Sequence, residues 1–380
     1  MSSCETKAWF VLSLVLLVAN YNQNSVLGKP LVPGLFIFGD SLSDSGNNNN
    51  LATNAKSNFK PYGIDFPAGP TGRFTNGRTI IDIISQFLGF KDFIPPFANT
   101  RGSNILKGVN YASGAAGIRI ETGEHVGELV SLGLQLLNHR AIVSRIAFVL
   151  GGLKRAKHYL SKCLYYVEIG NNDYLNNYFI PEYYNTSTIY SPEQYAEALI
   201  DELALYLKAL QGLGARKFVL VGVGSIGCIP ILISKTGGSC FEAANDAALI
   251  FNKKLKSLVD QFNSKSYTDS KFIFVNSKFD TLRYAVGFKD STTACCATVP
   301  SGHCIPDQTP CSNRREHVFF DQCHTTEAYN ILAALAFYNS SDLDSTYPMN
   351  IKNFVEQHIK MAPEFMEEFT SLPGRFYADE

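Results

Sequence analysis

The sequence lacks a surplus of either charge: 33 lysines and arginines stand against 34 aspartates and glutamates, for a formal net charge of −1. No overall field gathers nucleic acid or an anionic membrane, so a partner is expected to be found by a pocket. Also lacking is a continuous apolar run of the roughly 20 residues that a bilayer span requires. The best candidate, Trp9 to Ala19, is too short, and no stable membrane insertion is expected. There is neither an internal repeat nor a low-complexity linker to split the chain. No Gly-x-Ser-x-Gly elbow occurs, which argues against a conventional α/β-hydrolase. With 46% apolar and 18% charged residues, disorder is not indicated and one large core is within reach.

What is present begins with a leader. Lys7, the apolar run Trp9 to Ala19, and a polar stretch reaching Val26, Leu27 and Gly28 read as a signal peptide over residues 1–28, against an uncleaved anchor or a buried N-terminal helix. A secreted, extracellular protein follows, a single domain over 29–380. Of nine cysteines, Cys4 leaves with the leader, and the other eight form an even set suited to an oxidising compartment. Cys228 with Cys240 is a local bridge candidate, and two more bridges are expected among Cys295, Cys296, Cys304 and Cys311. Cys163 and Cys323 either pair or stay free. The irregular spacing disfavours zinc, and no metal or cofactor is expected. Sequons at Asn185 and Asn339 offer glycosylation sites.

Five apolar or aromatic runs, Leu35 to Phe38, Val109 to Ala112, Leu164 to Ile169, Phe218 to Val223 and Phe272 to Val275, read as buried strands. Periodic helical segments separate them: 78–88, 128–150, 191–210, 242–262 and 326–338. Ser191, Pro192 and Gln194 give the third of these a capping box. Alternating strand and helix predict a parallel sheet covered on both faces, a three-layer α/β/α sandwich with five strands. The loop-rich stretches 42–77 and 278–320 are expected over the site.

In such a sheet ligands bind beyond the carboxyl ends of the strands. There stand Gly39-Asp40-Ser41-Leu42, then Ser113-Gly114-Ala115, then Gly170-Asn171-Asn172-Asp173, with Asp321-Gln322-Cys323-His324 before the last marked helix. A serine hydroxyl barely ionises at neutral pH, so acyl transfer needs a base, an orienter and oxyanion donors. Ser41 is the candidate nucleophile, expected to open a helix whose positive end favours developing charge. His324 is the candidate base, and Asp321 is spaced to hold its Nδ1–H. The N–H groups of Ser41 and Gly114 and the amide of Asn172 are the candidate donors. Gly222, Gly224 and Gly227 match a dinucleotide fingerprint, which Cys228 and Pro230 contradict at the would-be phosphate-binding helix.

Phe38-Gly39-Asp40-Ser41-Leu42-Ser43-Asp44-Ser45-Gly46-Asn47-Asn48 resembles the first block of plant GDSL esterase/lipases of the SGNH hydrolase superfamily. Pro61-Tyr62-Gly63, Gly72-Arg73-Phe74-Thr75-Asn76-Gly77-Arg78, Asn110-Tyr111-Ala112-Ser113-Gly114, Gly170-Asn171-Asn172-Asp173 and the Asp-x-x-His ending at His324 extend the likeness over nearly the whole mature chain. The resemblance implies a flavodoxin-like fold, no metal, and hydrolysis of carboxylic esters through an acyl-enzyme. The family letters fall on Ser41, Gly114, Asn172 and His324. Ala115 replaces a usual Gly, Phe320 a usual Trp and Thr325 a usual Pro, and Cys323 is unusual beside the base. A small-molecule or lipid-like ester is the expected substrate. Acyl transfer to an alcohol and a catalytically silent cell-wall binding protein are the alternatives, and the sequence leaves oligomeric state and the particular ester open.

Overall fold

The computed structural model describes residues 29–360 except 101, 265–268 and 278–286, so the expected signal peptide lies outside the described residues. The five expected strands form as β1 (Leu35–Gly39), β2 (Gly108–Asn110), β3 (Leu164–Glu168), β4 (Lys217–Val221) and β5 (Lys271–Val275). They pair in parallel in the order β2-β1-β3-β4-β5. A separate parallel pair joins β6 (Asp290–Ala294) to β7 (His317–Phe319). A sixth strand of the main sheet, β8 (Thr346–Tyr347), adds antiparallel to the β5 edge. Five strands were expected; two residues carry no readable periodicity.

The helices are α1 (Ile80–Phe87), α2 (Leu132–Leu150), α3 (Leu153–Leu160), α4 (Pro192–Leu213), α5 (Pro230–Lys235), α6 (Glu242–Ser264), α7 (Glu327–Asn339) and α8 (Ile351–Lys360), with shorter helical turns between them. Successive strand residues point to opposite faces, and both faces are dry. Phe36, Phe38, Tyr165 and Phe218 pack under α2, α3, α4 and α6. Leu35, Ile37, Tyr166 and Val219 pack under α1, α7 and α8. The capping box of α4 forms as expected, with Gln194 N–H donating to Ser191 Oγ and Ser191 N–H to Gln194 Oε1. α2 starts later than its periodicity predicts, because Glu128 N–H donates to the Ala52 carbonyl and Val130 N–H to Ser113 Oγ.

α2 begins at the carboxyl end of the sheet, where Gln135 bonds both the N–H and the carbonyl of Gly39. It ends at the amino edge, where Phe148 and Val149 lie beside Ile105 in the turn before β2. There Gly151 and Gly152 break the helix and α3 leaves at 113°. No single helix among the described residues is long and apolar enough to cross a membrane.

Candidate active site

Ser41 lies two residues beyond β1. The approach is tight, since a Cβ on Gly39 would stand 2.6 Å from the Glu168 carbonyl of β3. Asp40 shapes the turn. Its carbonyl accepts from Ser43 and Asp44 N–H, and its carboxylate accepts from Leu42 N–H (3.0 Å) and Asn171 Nδ2 (3.1 Å). The helix expected to open at Ser41 does not form. The Asp44 carboxylate takes the N–H groups of Gly46 and Asn47 (2.7 and 2.8 Å), so the chain leaves after one turn. A helix dipole is therefore replaced by a local donor, the Ser41 N–H, which meets no acceptor among the described residues.

Asp321 and His324 come from the tight turn after β7, which Phe320 N–H closes on the His324 carbonyl (2.8 Å). His324 Nε2 stands 2.8 Å from Ser41 Oγ. Its Nδ1 faces both Asp321 oxygens at 2.9 and 2.8 Å. Asp321 is fully buried and further accepts from Cys323 N–H (2.8 Å), His324 N–H (2.7 Å) and Tyr62 Oη–H (2.6 Å). Burial alone would raise its carboxyl pKa; the His324 ring, with smaller help from His303 and Tyr62, outweighs that and holds it below the ordinary carboxylate range. The orienter stays ionised.

Asn172 lines the cleft. Its Nδ2 donates to the Ala116 carbonyl (3.0 Å) and its Oδ1 accepts from Asn176 (2.6 Å), which fixes the amide and leaves one N–H over. Gly114 is placed differently from expectation. Its N–H donates to Asp44 Oδ2 (3.1 Å), and a Cβ there would meet the Phe74 ring at 2.7 Å. Its neighbour Ala115, at φ 66°, lines the cleft with an N–H that meets no acceptor among the described residues.

The cleft holds about 630 Å³. Leu175, Phe179, Ile226, Ile229, Leu232 and Phe241 make one wall apolar, and His125, Glu182 and Lys235 bring polar groups to it. Phe74 packs 4.9 Å from the His324 ring and His303 6.0 Å from it, centroid to centroid. Burial, with a smaller push from the neighbouring His324 ring, lowers the His303 pKa against the pull of Asp321. Tyr62, Phe74 and His303 escaped the residue-by-residue reading. The first two sit inside matched blocks, whereas His303 arrives on a loop pinned by Cys296–Cys304 and Cys295–Cys311. Cys228–Cys240 forms as a local bridge. Cys163 and Cys323 stay free, the latter on the cleft wall. Thr326, following Thr325, caps α7 by accepting from Tyr329 N–H, so helix entry survives without the usual Pro.

A parallel sheet covered on both faces, carrying a serine, a histidine and a buried carboxylate in hydrogen-bond sequence beyond its strands, defines the SGNH class of serine hydrolases. A family model described as GDSL-like Lipase/Acylhydrolase matches residues 35–337. The chain belongs to this family, whose members are hydrolases of carboxylic esters. It is 44% identical over 366 residues to GDSL esterase/lipase At1g29670 of Arabidopsis thaliana, covering 94% of this chain and 100% of the relative. It is 45% identical over 342 residues to GDSL esterase/lipase At4g18970 of the same plant (87% and 94%). To GDSL esterase/lipase At5g45670, also from Arabidopsis thaliana, it is 44% identical over 352 residues (89% and 96%).

Proposed function

We propose that this protein is a secreted esterase that cleaves carboxylic esters with an apolar acyl or alkyl part, through an acyl-enzyme on Ser41. The observation that carries the reading is the 2.8 Å contact between Ser41 Oγ and His324 Nε2. His324 takes the hydroxyl proton as Oγ bonds to the ester carbonyl carbon, and Asp321 holds the imidazolium in register. The oxyanion is met by the Ser41 N–H, the spare Asn172 N–H and the Ala115 N–H, the last in place of the expected Gly114. Each donor contributes about 3 kcal/mol in the transition state. The proton on Nε2 then passes to the leaving alkoxide. Water, deprotonated by the same nitrogen, attacks the acyl carbonyl, and collapse returns the proton to Oγ and releases the acid.

The apolar wall suits a hydrocarbon chain. Export is supported by three disulfides and by the exposure of Asn185 and Asn339, the proposed glycan acceptors. A fluorophosphonate probe is expected to label the native protein and not the Ser41→Ala variant. A folded native protein that resists the probe would sink the serine mechanism, and would favour the silent binding protein. Adding a primary alcohol to a turnover assay separates the remaining alternative: hydrolysis yields free acid as the main product, acyl transfer a new ester.

A further inference from the structure

A charge balance near zero conceals a strong local segregation. Between Glu128 and Glu168 the chain contains no acidic residue, while Arg140, Arg145, Lys154, Arg155 and Lys157 all lie exposed on α2 and α3. Among the described residues none of these five makes an ion pair. At the 113° corner between the two helices, large apolar side chains stand in solvent: Phe148 is 89% exposed, Leu153 54% and Val149 47%. Gly151 and Gly152 form the apex. Such a cluster on an otherwise ordinary surface marks an interaction site.

We infer that the α2–α3 corner docks on an anionic lipid surface. Phe148, Val149 and Leu153 enter the boundary between headgroups and acyl chains, and the five cations lie against anionic headgroups. The pairing of an apolar tip with cations along the two helices that meet there selects the partner. A soluble polyanion matches the cations and leaves Phe148 in water. A second copy of the chain would bury the apolar tip only by pressing like charges together. The corner sits at the amino edge of the sheet and Ser41 beyond its carboxyl ends, so docking leaves the cleft open to solution.

The secreted protein, freed of residues 1–28, loses Trp9, the only tryptophan of the sequence, so Phe148→Trp places a single indole at the tip. Its emission is expected to shift to the blue on mixed phosphatidylcholine–phosphatidylserine vesicles and to stay unchanged on pure phosphatidylcholine. In cosedimentation, Lys154→Ala with Arg155→Ala is expected to weaken binding about 25-fold, and Phe148→Ser about tenfold. Raised salt weakens binding further, and turnover of a water-soluble ester is unchanged in every variant. The inference is overturned by no shift on the mixed vesicles or by equal shifts on both kinds. It is also overturned by a shift that follows protein concentration without vesicles, or by tight binding of a soluble polyanion such as heparin that Phe148→Ser leaves intact. None of these outcomes depends on the serine chemistry.

Discussion

Asp321 accepts four hydrogen-bond donors with no access to water, and each has a separable effect. Asp321→Asn keeps the shape but offers His324 an amide in the wrong polarity, and kcat is expected to fall about 10⁴-fold with the fold intact by circular dichroism. Tyr62→Phe removes one donor from the carboxylate and leaves Cys304 N–H without its acceptor. That costs about 1 kcal/mol, read as a several-fold loss in kcat with KM little changed, and it moves the acidic limb of the pH–rate profile upward because the anion loses support. A rate that follows stability alone, with an unmoved profile, would count against this positioning role. Ser41, Asp321 and His324 were legible because each sits in a short motif whose chemistry is local. Tyr62 and His303 were not, because only tertiary folding brings them to residue 321. The Ala115 N–H, proposed here as a donor, was hidden by a subtler effect: the N–H of Gly114 is spent on Asp44, which residue type does not reveal.

Among the elements, the five parallel strands were legible from their aromatic and β-branched runs, and the helices from their period. β6, β7 and β8 were not: β7 has three residues and β8 two, and β6, Asp-Ser-Thr-Thr-Ala, carries no apolar run. The stretch joining β6 to β7 owes its shape to crosslinks more than to a core. The 16-residue separation of Cys295 and Cys311 corresponds to about 3 kcal/mol of chain entropy removed from the unfolded state. Replacing Cys296 and Cys304 by Ser is expected to lower the midpoint of thermal unfolding and, because that loop carries His303 and contacts Tyr62, to reduce kcat more than a surface change of equal destabilisation. On α1, Thr79 and Asp82 form a capping box while Asp82 also accepts a fork from Arg73 at 2.6 and 2.8 Å. Both partners are buried, so Arg73→Ala strands a carboxylate and should cost about 3–5 kcal/mol by denaturant titration. Arg73→Lys should recover only part of it, lacking the fork.

At the scale of the molecule, buried titrating groups make stability depend on pH. His139, on the buried face of α2, is lowered by burial from 6.5 to about 3, so the unfolded chain gains a proton that the fold refuses, and stability falls as pH drops below 6.5. Glu168 runs the other way. Burial, then Asp40, raise it from 4.5 to about 8, against the hydrogen bond from Ser43. The fold keeps a proton that the unfolded chain releases, and stability falls as pH rises from 4.5 through 8. Burial likewise raises Asp173 to about 7 and Asp44 to about 6, adding to the alkaline loss. Three carboxyls outweigh the one imidazole where their windows overlap, so the thermal midpoint is expected to fall as pH rises from about 5 to 8, and Glu168→Gln to make that fall shallower. The overall charge gave a true total and no hint of its distribution: the acid-free stretch was present in the sequence, but only the 113° bend between α2 and α3 turns Phe148, Val149 and Leu153 into the tip between its two basic helices. Five-residue strands hold that corner and the cleft apart by roughly 17 Å of packed sheet, a distance over which substitutions act independently. In evolutionary terms the sheet is an insulator. A substitution at the amino edge is thus expected to alter what the corner meets without retuning the ester chemistry at the opposite edge.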